Sequence, residues 1–145
     1  MKKIIIQMFL IFFFTTFIVA CTKKTLYLTP EVHGYIYNSI TKKPVSNTKV
    51  IMGFNGLTDN NAPSVLLNKE GEFVIPAVTT TYYYLKPNVR KYSAPPEIYI
   101  SIDYYQSKIL DYSNFYGKQV PEERSGYSYF NKIDVGIIYL DPEKW

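Results

Sequence analysis

The hydrophobic pattern divides the chain in two. Ile4 to Val19 is almost entirely apolar and uncharged, and it follows Lys2 and Lys3. A short positive region ahead of an apolar run is the layout of a secretory signal. At about 16 residues the run falls short of the ~20 that span a bilayer as a helix. A signal helix over residues 1–20 is therefore predicted, rather than a membrane anchor or a buried core helix. Beyond residue 30 no segment sustains a helical period. Short runs rich in β-formers alternate with clusters of Pro, Gly, Asn and Asp, the pattern of strands and turns. Seven strands are predicted, at 32–37, 48–54, 64–67, 72–75, 79–85, 97–105 and 132–140. Alternation along them assigns Val32, Ile36, Val50, Met52, Phe54, Phe73, Ile75, Ile98, Ile100, Ile102, Val135 and Ile137 to the core. Residues 22–31 read as a polar tether, and 106–131 as the least regular part, with Lys108 to Phe115 as one or two helical turns. The expected fold is all-β: an antiparallel β-sandwich of about seven strands over 32–145.

The cysteine count sharpens the N-terminal reading. The chain has 145 residues, one Cys and one His, which excludes an internal disulfide and any Cys-rich zinc site. The lone Cys21 follows Ile18-Val19-Ala20 directly. This stretch resembles the lipobox of bacterial lipoproteins, with Ile18 where the family usually has Leu. The resemblance implies cleavage before Cys21, a diacylglycerol on its sulfur and often a further acyl chain on the new N-terminus. Two or three chains at about 0.8 kcal/mol per buried CH₂ anchor firmly where one does not. The implied partner is thus a membrane, gripped through Cys21 by acyl chains. With Thr22-Lys23 after the cysteine and no Asp, the resemblance implies the outer membrane if the cell is Gram-negative. The mature chain has 125 residues, and its formal charge falls from +4 to +2. No basic stripe remains to bind nucleic acid.

A second resemblance lies further on. Val32-x-Gly34-x-Ile36-x-Asn38, then Thr41-x-Lys43-Pro44-Val45 and Asn47-Thr48-x-Val50, are similar to the opening of the carboxypeptidase regulatory-like domain. Asn68-Lys69-Glu70-Gly71-Glu72-Phe73 continues it, and Asp134 to Leu140 is similar to its closing strand. The resemblance implies a transthyretin-like sandwich that is not itself catalytic. In physical terms, Gly34 permits close approach or a bulge, Pro44 fixes a turn, and Gly71 supplies a positive φ.

Little else carries chemistry. His33 lies in the first predicted strand and reads as a surface or edge histidine rather than part of a triad. No pair of carboxylates stands in a glycosidase-like context. Asp59-Asn60-Asn61 is rich in oxygen but lacks the spacing and closing Glu of a calcium loop. No metal or cofactor is expected. The anomaly is tyrosine: all 15 belong to the mature chain. Tyrosine suits both half-covered strands and contact surfaces. Tyr82, Tyr83 and Tyr84, with Arg90 and Lys91, form the candidate binding patch. The expected function is a non-catalytic, membrane-anchored module that binds a protein or envelope component. The alternatives are a structural subunit of an envelope or secretion assembly, or an immunity lipoprotein that neutralises a toxin.

Overall fold

A computed structural model describes residues 5–8, 22–57, 64–92 and 94–144. Cys21 and the residues of the lipobox lie outside the described residues, as does Asp59-Asn60-Asn61; residues 5–8 are helical and exposed. The rest is an all-β sandwich. Nine strands run in chain order as β1 (Lys24–Tyr27), β2 (Glu31–Asn38), β3 (Lys49–Phe54), β4 (Ser64–Leu66), β5 (Glu72–Ile75), β6 (Thr79–Tyr82), β7 (Glu97–Ser101), β8 (Lys108–Asp111) and β9 (Lys132–Leu140). One short helix, α1 (Ser113–Gln119), precedes β9. The strands form a three-stranded sheet β5-β2-β9, a four-stranded sheet β4-β3-β7-β8 and a separate ribbon β1-β6.

The two larger sheets share one core. Val32, Ile36, Phe73, Ile75, Ile133, Val135, Ile138 and Leu140 come from the first, and Val50, Met52, Phe54, Ile98 and Ile100 from the second; all are buried. Eleven of the twelve expected core residues are therefore inside. Ile137 is the exception, 48% exposed. The cause is a bulge. β2 pairs with β9 so that His33 faces Asp134 but Tyr35 faces Ile137, leaving Val135 and Gly136 opposite Gly34 alone. Gly136 takes the extra residue at φ +68. The inward phase slips by one, so Ile138 replaces Ile137. Gly34 is required there: a Cβ on it would lie 2.8 Å from Val135 Cγ2, 2.9 Å from the Gly136 carbonyl oxygen and 2.9 Å from Phe73 Cζ. Gly71 holds φ +75 in the turn before β5, as its sequence context predicts.

The expected sandwich stands, and five details of the expected reading are corrected. The sandwich is not wholly antiparallel, because β2 and β9 run parallel. They lie far apart in the chain, so no hairpin dictates their sense. The segment 22–31 is not a free tether. β1 pairs with β6 from Lys24↔Tyr82 to Tyr27↔Thr79, and Leu26 is 1% exposed. The Leu28 amide donates to the Val78 carbonyl at 2.8 Å, and the Val78 amide to Thr29 Oγ1 at 2.9 Å, extending the ribbon. The expected strand over 79–85 accordingly ends at Tyr82, where its partner runs out. Lys108 to Asp111 is strand rather than helix, because it completes the edge of the four-stranded sheet against β7; helix begins only at Ser113. The strand predicted over 97–105 stops at Ser101, and Tyr104 turns the chain at φ 70.

α1 latches onto the free side of β9. The Gln119 side chain donates to the Asp134 carbonyl at 2.6 Å and accepts from the Asp134 amide at 2.8 Å. This reciprocal pair does the work of a neighbouring strand at one residue, and blunts an edge that would otherwise offer unpaired backbone.

Candidate functional site

Only one tyrosine, Tyr112, is buried, at 6% exposure; the other fourteen are half-buried or exposed. Five of the fifteen converge on one cavity of about 520 Å³: Tyr27, Tyr112, Tyr116, Tyr127 and Tyr129. That volume lies within the ~300–1,000 Å³ of small-ligand pockets. Pro30, Pro96 and Asn131 complete much of the wall, and no Asp, Glu, Lys, Arg or His lines it.

The walls come from four places. β1 and the residues after it supply Tyr27 to Pro30, the residue before β7 supplies Pro96, α1 and the residue before it supply Tyr112 and Tyr116, and the loop 125–131 supplies Tyr127, Tyr129 and Asn131. Tyr112 and Tyr116 are four residues apart, so one helical turn stacks them on the same side. The Asp111 carboxylate accepts the Ser113 amide at 2.7 Å and holds the start of the turn. That hydrogen bond, followed by one from the Ser113 side chain, keeps the Asp111 carboxyl below its ordinary range.

The loop is fixed by its own backbone. The Tyr27 amide donates to the Tyr127 carbonyl, and the Glu31 amide to the Asn131 carbonyl, both at 2.8 Å. Within the loop, Arg124 Nη2 donates to the Phe130 carbonyl at 2.9 Å. Buried Asn131 uses Nδ2 twice, toward the Arg124 carbonyl at 3.0 Å and Tyr116 Oη at 3.3 Å. Phe130 packs its ring against Tyr27 at 5.5 Å between centroids. The cavity is thus preformed rather than waiting for a ligand to order it.

Tyr112 forms part of the floor. Its amide donates to the Pro96 carbonyl at 2.8 Å, and its ring meets Phe54 edge-on at 6.0 Å. Burial, with smaller contributions from Tyr116 and Asp111, pushes its phenol up to about 12. It therefore stays protonated at any physiological pH. No hydrogen bond from its hydroxyl is found among the described residues, yet no buried side-chain oxygen there lacks a partner. The hydroxyl therefore keeps some accessible surface, on a residue that lines the cavity.

The residues singled out in the sequence lie elsewhere. Tyr82 is half-buried in β6, while Tyr83 and Tyr84 leave the ladder at 56% and 70% exposure. Arg90 and Lys91 are exposed in a 3₁₀ turn, Val89–Tyr92. None of the five lines the cavity. His33 sits in β2, the central strand of its sheet rather than an edge, and its Nε2 lies 2.7 Å from Glu31 Oε1. Lys132 reaches the same oxygen at 2.8 Å. These two partners, Lys132 first, hold the Glu31 carboxyl below its ordinary 4.5. The described residues include no group of three or more His, Cys, Asp or Glu able to hold a metal, and no helix among them is long and apolar enough to cross a membrane. The clusters 112/116 and 127/129 were visible as tyrosine pairs, but nothing in the sequence shows that Tyr27 joins them.

The fold and cavity define a β-sandwich with an uncharged, tyrosine-lined pocket at one margin. No family model matches the chain, and no curated protein matches it. Among solved structures, a 9R-lipoxygenase from Cyanothece PCC8801 is similar over 79% of this chain at 16% identity, with a TM-score of 0.34. The matched part is 16% of the lipoxygenase chain, and a likeness this low bears on neither fold nor activity.

Proposed function

We propose that the chain is a lipid-anchored protein of the cell envelope whose single domain works by binding a partner and not by catalysis. The N-terminal pattern through Cys21 supports the anchor, and the resemblance of residues 32–76 to the carboxypeptidase regulatory-like domain supports a binding role. The observation that carries the reading is the cavity itself. It has the volume and fixed walls of a ligand site, yet its only ionisable groups are phenols. A phenol raised to about 12 is a poor general base near neutrality. The one imidazole is already held by Glu31, off the cavity lining.

The test joins anchor to site. The full chain and its Cys21→Ser variant are expressed in a bacterial host with a labelled fatty acid, each carrying a photo-crosslinking residue in place of Tyr129. The native anchor should take up label, sediment with envelope membranes and give one discrete crosslinked adduct. Cys21→Ser should lose the label and most of the adduct. An unlabelled wild-type chain refutes the anchor. A labelled chain that yields only diffuse adducts refutes the binding role.

A further inference from the structure

The chemistry of the cavity narrows its ligand. Flat aromatic faces are abundant, and charge is absent. The free hydrogen-bonding groups also lean toward donors. The only amide side chain in the lining, Asn131, spends both Nδ2 hydrogens on Tyr116 Oη and the Arg124 carbonyl. Thr29 Oγ1 already accepts the Val78 amide. What remains is chiefly phenolic hydroxyl, with buried Tyr112 and the more exposed Tyr129, 48% exposed, against a single side-chain amide acceptor, Asn131 Oδ1. A protonated phenol is a good donor. No bidentate side chain is left to grip the paired hydroxyls of a sugar.

A ligand suited to this set is neutral, presents flat apolar rings and carries acceptors in excess of donors. A proline-rich stretch of polypeptide answers each condition. Every proline removes a backbone N–H and keeps the carbonyl. The polyproline II helix has no internal hydrogen bonds, so its carbonyls stay free. Its pyrrolidine rings lie flat on aromatic side chains, and its conformation exists before binding.

Resting on the binding role proposed above, we propose that the tyrosine cavity receives a proline-rich, polyproline II segment of a partner protein, with the Tyr112 hydroxyl donating to a ligand carbonyl and Tyr129 covering a proline ring. Both sides are preorganised, the protein by the pinned loop and the ligand by its prolines, so little ordering entropy opposes association.

The test is calorimetric titration of the full-length chain in detergent with an uncharged oligoproline peptide, and separately with neutral glucan and chitin oligosaccharides. Four proteins are compared: wild type, Tyr112→Phe, Tyr129→Ala and Tyr84→Ala. Tyr112→Phe removes one oxygen and keeps the ring against Phe54, and circular dichroism confirms that each variant is folded. Oligoproline should bind saturably to the wild type. Tyr112→Phe should weaken it about threefold to tenfold, the effect of one neutral hydrogen bond, Tyr129→Ala should weaken it further, and Tyr84→Ala should leave it unchanged. Oligosaccharide binding without oligoproline binding overturns the peptide and leaves the binding role standing. Failure of both probes on a folded chain overturns the proposal, as does oligoproline binding that ignores both cavity substitutions.

Discussion

Two glycines should respond in opposite directions to the same added methyl group. At Gly34, where the bulge of β9 crosses β2, the new Cβ would stand 2.8 to 2.9 Å from a valine methyl, a backbone oxygen and a phenylalanine ring carbon. Each contact is at least about 0.5 Å inside ordinary van der Waals separation. The oxygen belongs to a bulged strand bonded to β2, and Phe73 is 1% exposed in the core, so none of the three retreats easily. Overpacking of this kind costs about 1–3 kcal/mol, and three contacts below 3.0 Å at one site belong in the upper half of that range. Alanine regains about 0.4–1 kcal/mol by restricting the unfolded chain, leaving a net loss of about 1–2 kcal/mol for Gly34→Ala. Gly117 is the counterpart. It lies inside α1 and a Cβ there meets nothing within 4 Å, so Gly117→Ala should gain about 0.5–1 kcal/mol from helix propensity alone. The assay is urea unfolding followed by near-ultraviolet circular dichroism, with thermal melts alongside. At about 3–6 °C per kcal/mol for a domain of this size, Gly34→Ala should melt roughly 3–12 °C lower and Gly117→Ala roughly 2–6 °C higher. The urea slope should not change, since the surface exposed on unfolding is the same. A Gly34→Ala protein as stable as wild type would refute the packing argument.

Two further predictions concern the polar groups beside the cavity. Glu31 is depressed by Lys132 and His33, so its contribution is present above its unfolded value, near 4.5, and is lost as pH falls through its lower folded value. Glu31→Gln should therefore be less stable than wild type by about 0.2–1 kcal/mol near neutral pH, with the gap narrowing as pH falls below the ordinary 4.5; urea midpoints that keep the same gap in neutral and in acidic solution contradict this. Asn131→Ala removes both hydrogen bonds that close the loop, which should cost about 1–3 kcal/mol. Amide exchange at residues 125–130 should accelerate while the strands of the two sheets keep their protection, and unchanged loop exchange would show that the backbone contacts alone hold the wall.

The fold was legible where side-chain period and turn chemistry agree. Phe73 and Ile75 alternate between Gly71 and Pro76, and both are buried as read. Alternation failed at Ile137 because a bulge shifts phase without changing composition, and the residue that makes room for it, Gly34, lies about a hundred positions earlier. β1 was missed for a related reason. Its four residues carry only one fully buried side chain, Leu26, so the strand exists through its partner β6 rather than through its own pattern. The cavity depended on the same long-range pairing. Tyr112 and Tyr116 are a local pair, but the loop bearing Tyr127 and Tyr129 is tied to the Tyr27 and Glu31 amides, far away in the chain. Exposure favoured Tyr83 and Tyr84, and exposure is what a strand-propensity argument can see; convergence is not.

The pairing of β1 with β6 would also set the geometry of the proposed attachment. A flexible leash of ten residues has a root-mean-square span of about 17 Å and lets its cargo tumble. With the chain captured from Lys24 onward, a lipid carried on Cys21 under the proposed anchor would be only Thr22 and Lys23 away from β1, a reach of about 10 Å. Tyr27, on the cavity wall, follows at most about 20 Å from the lipid. On the proposed anchor, the domain rides close to the bilayer with few orientations open to it, and its cavity samples a thin layer just above the headgroups. Partners embedded in or lying along that same leaflet meet it at high local concentration; those held deeper in the aqueous space have to come down to the surface to be caught.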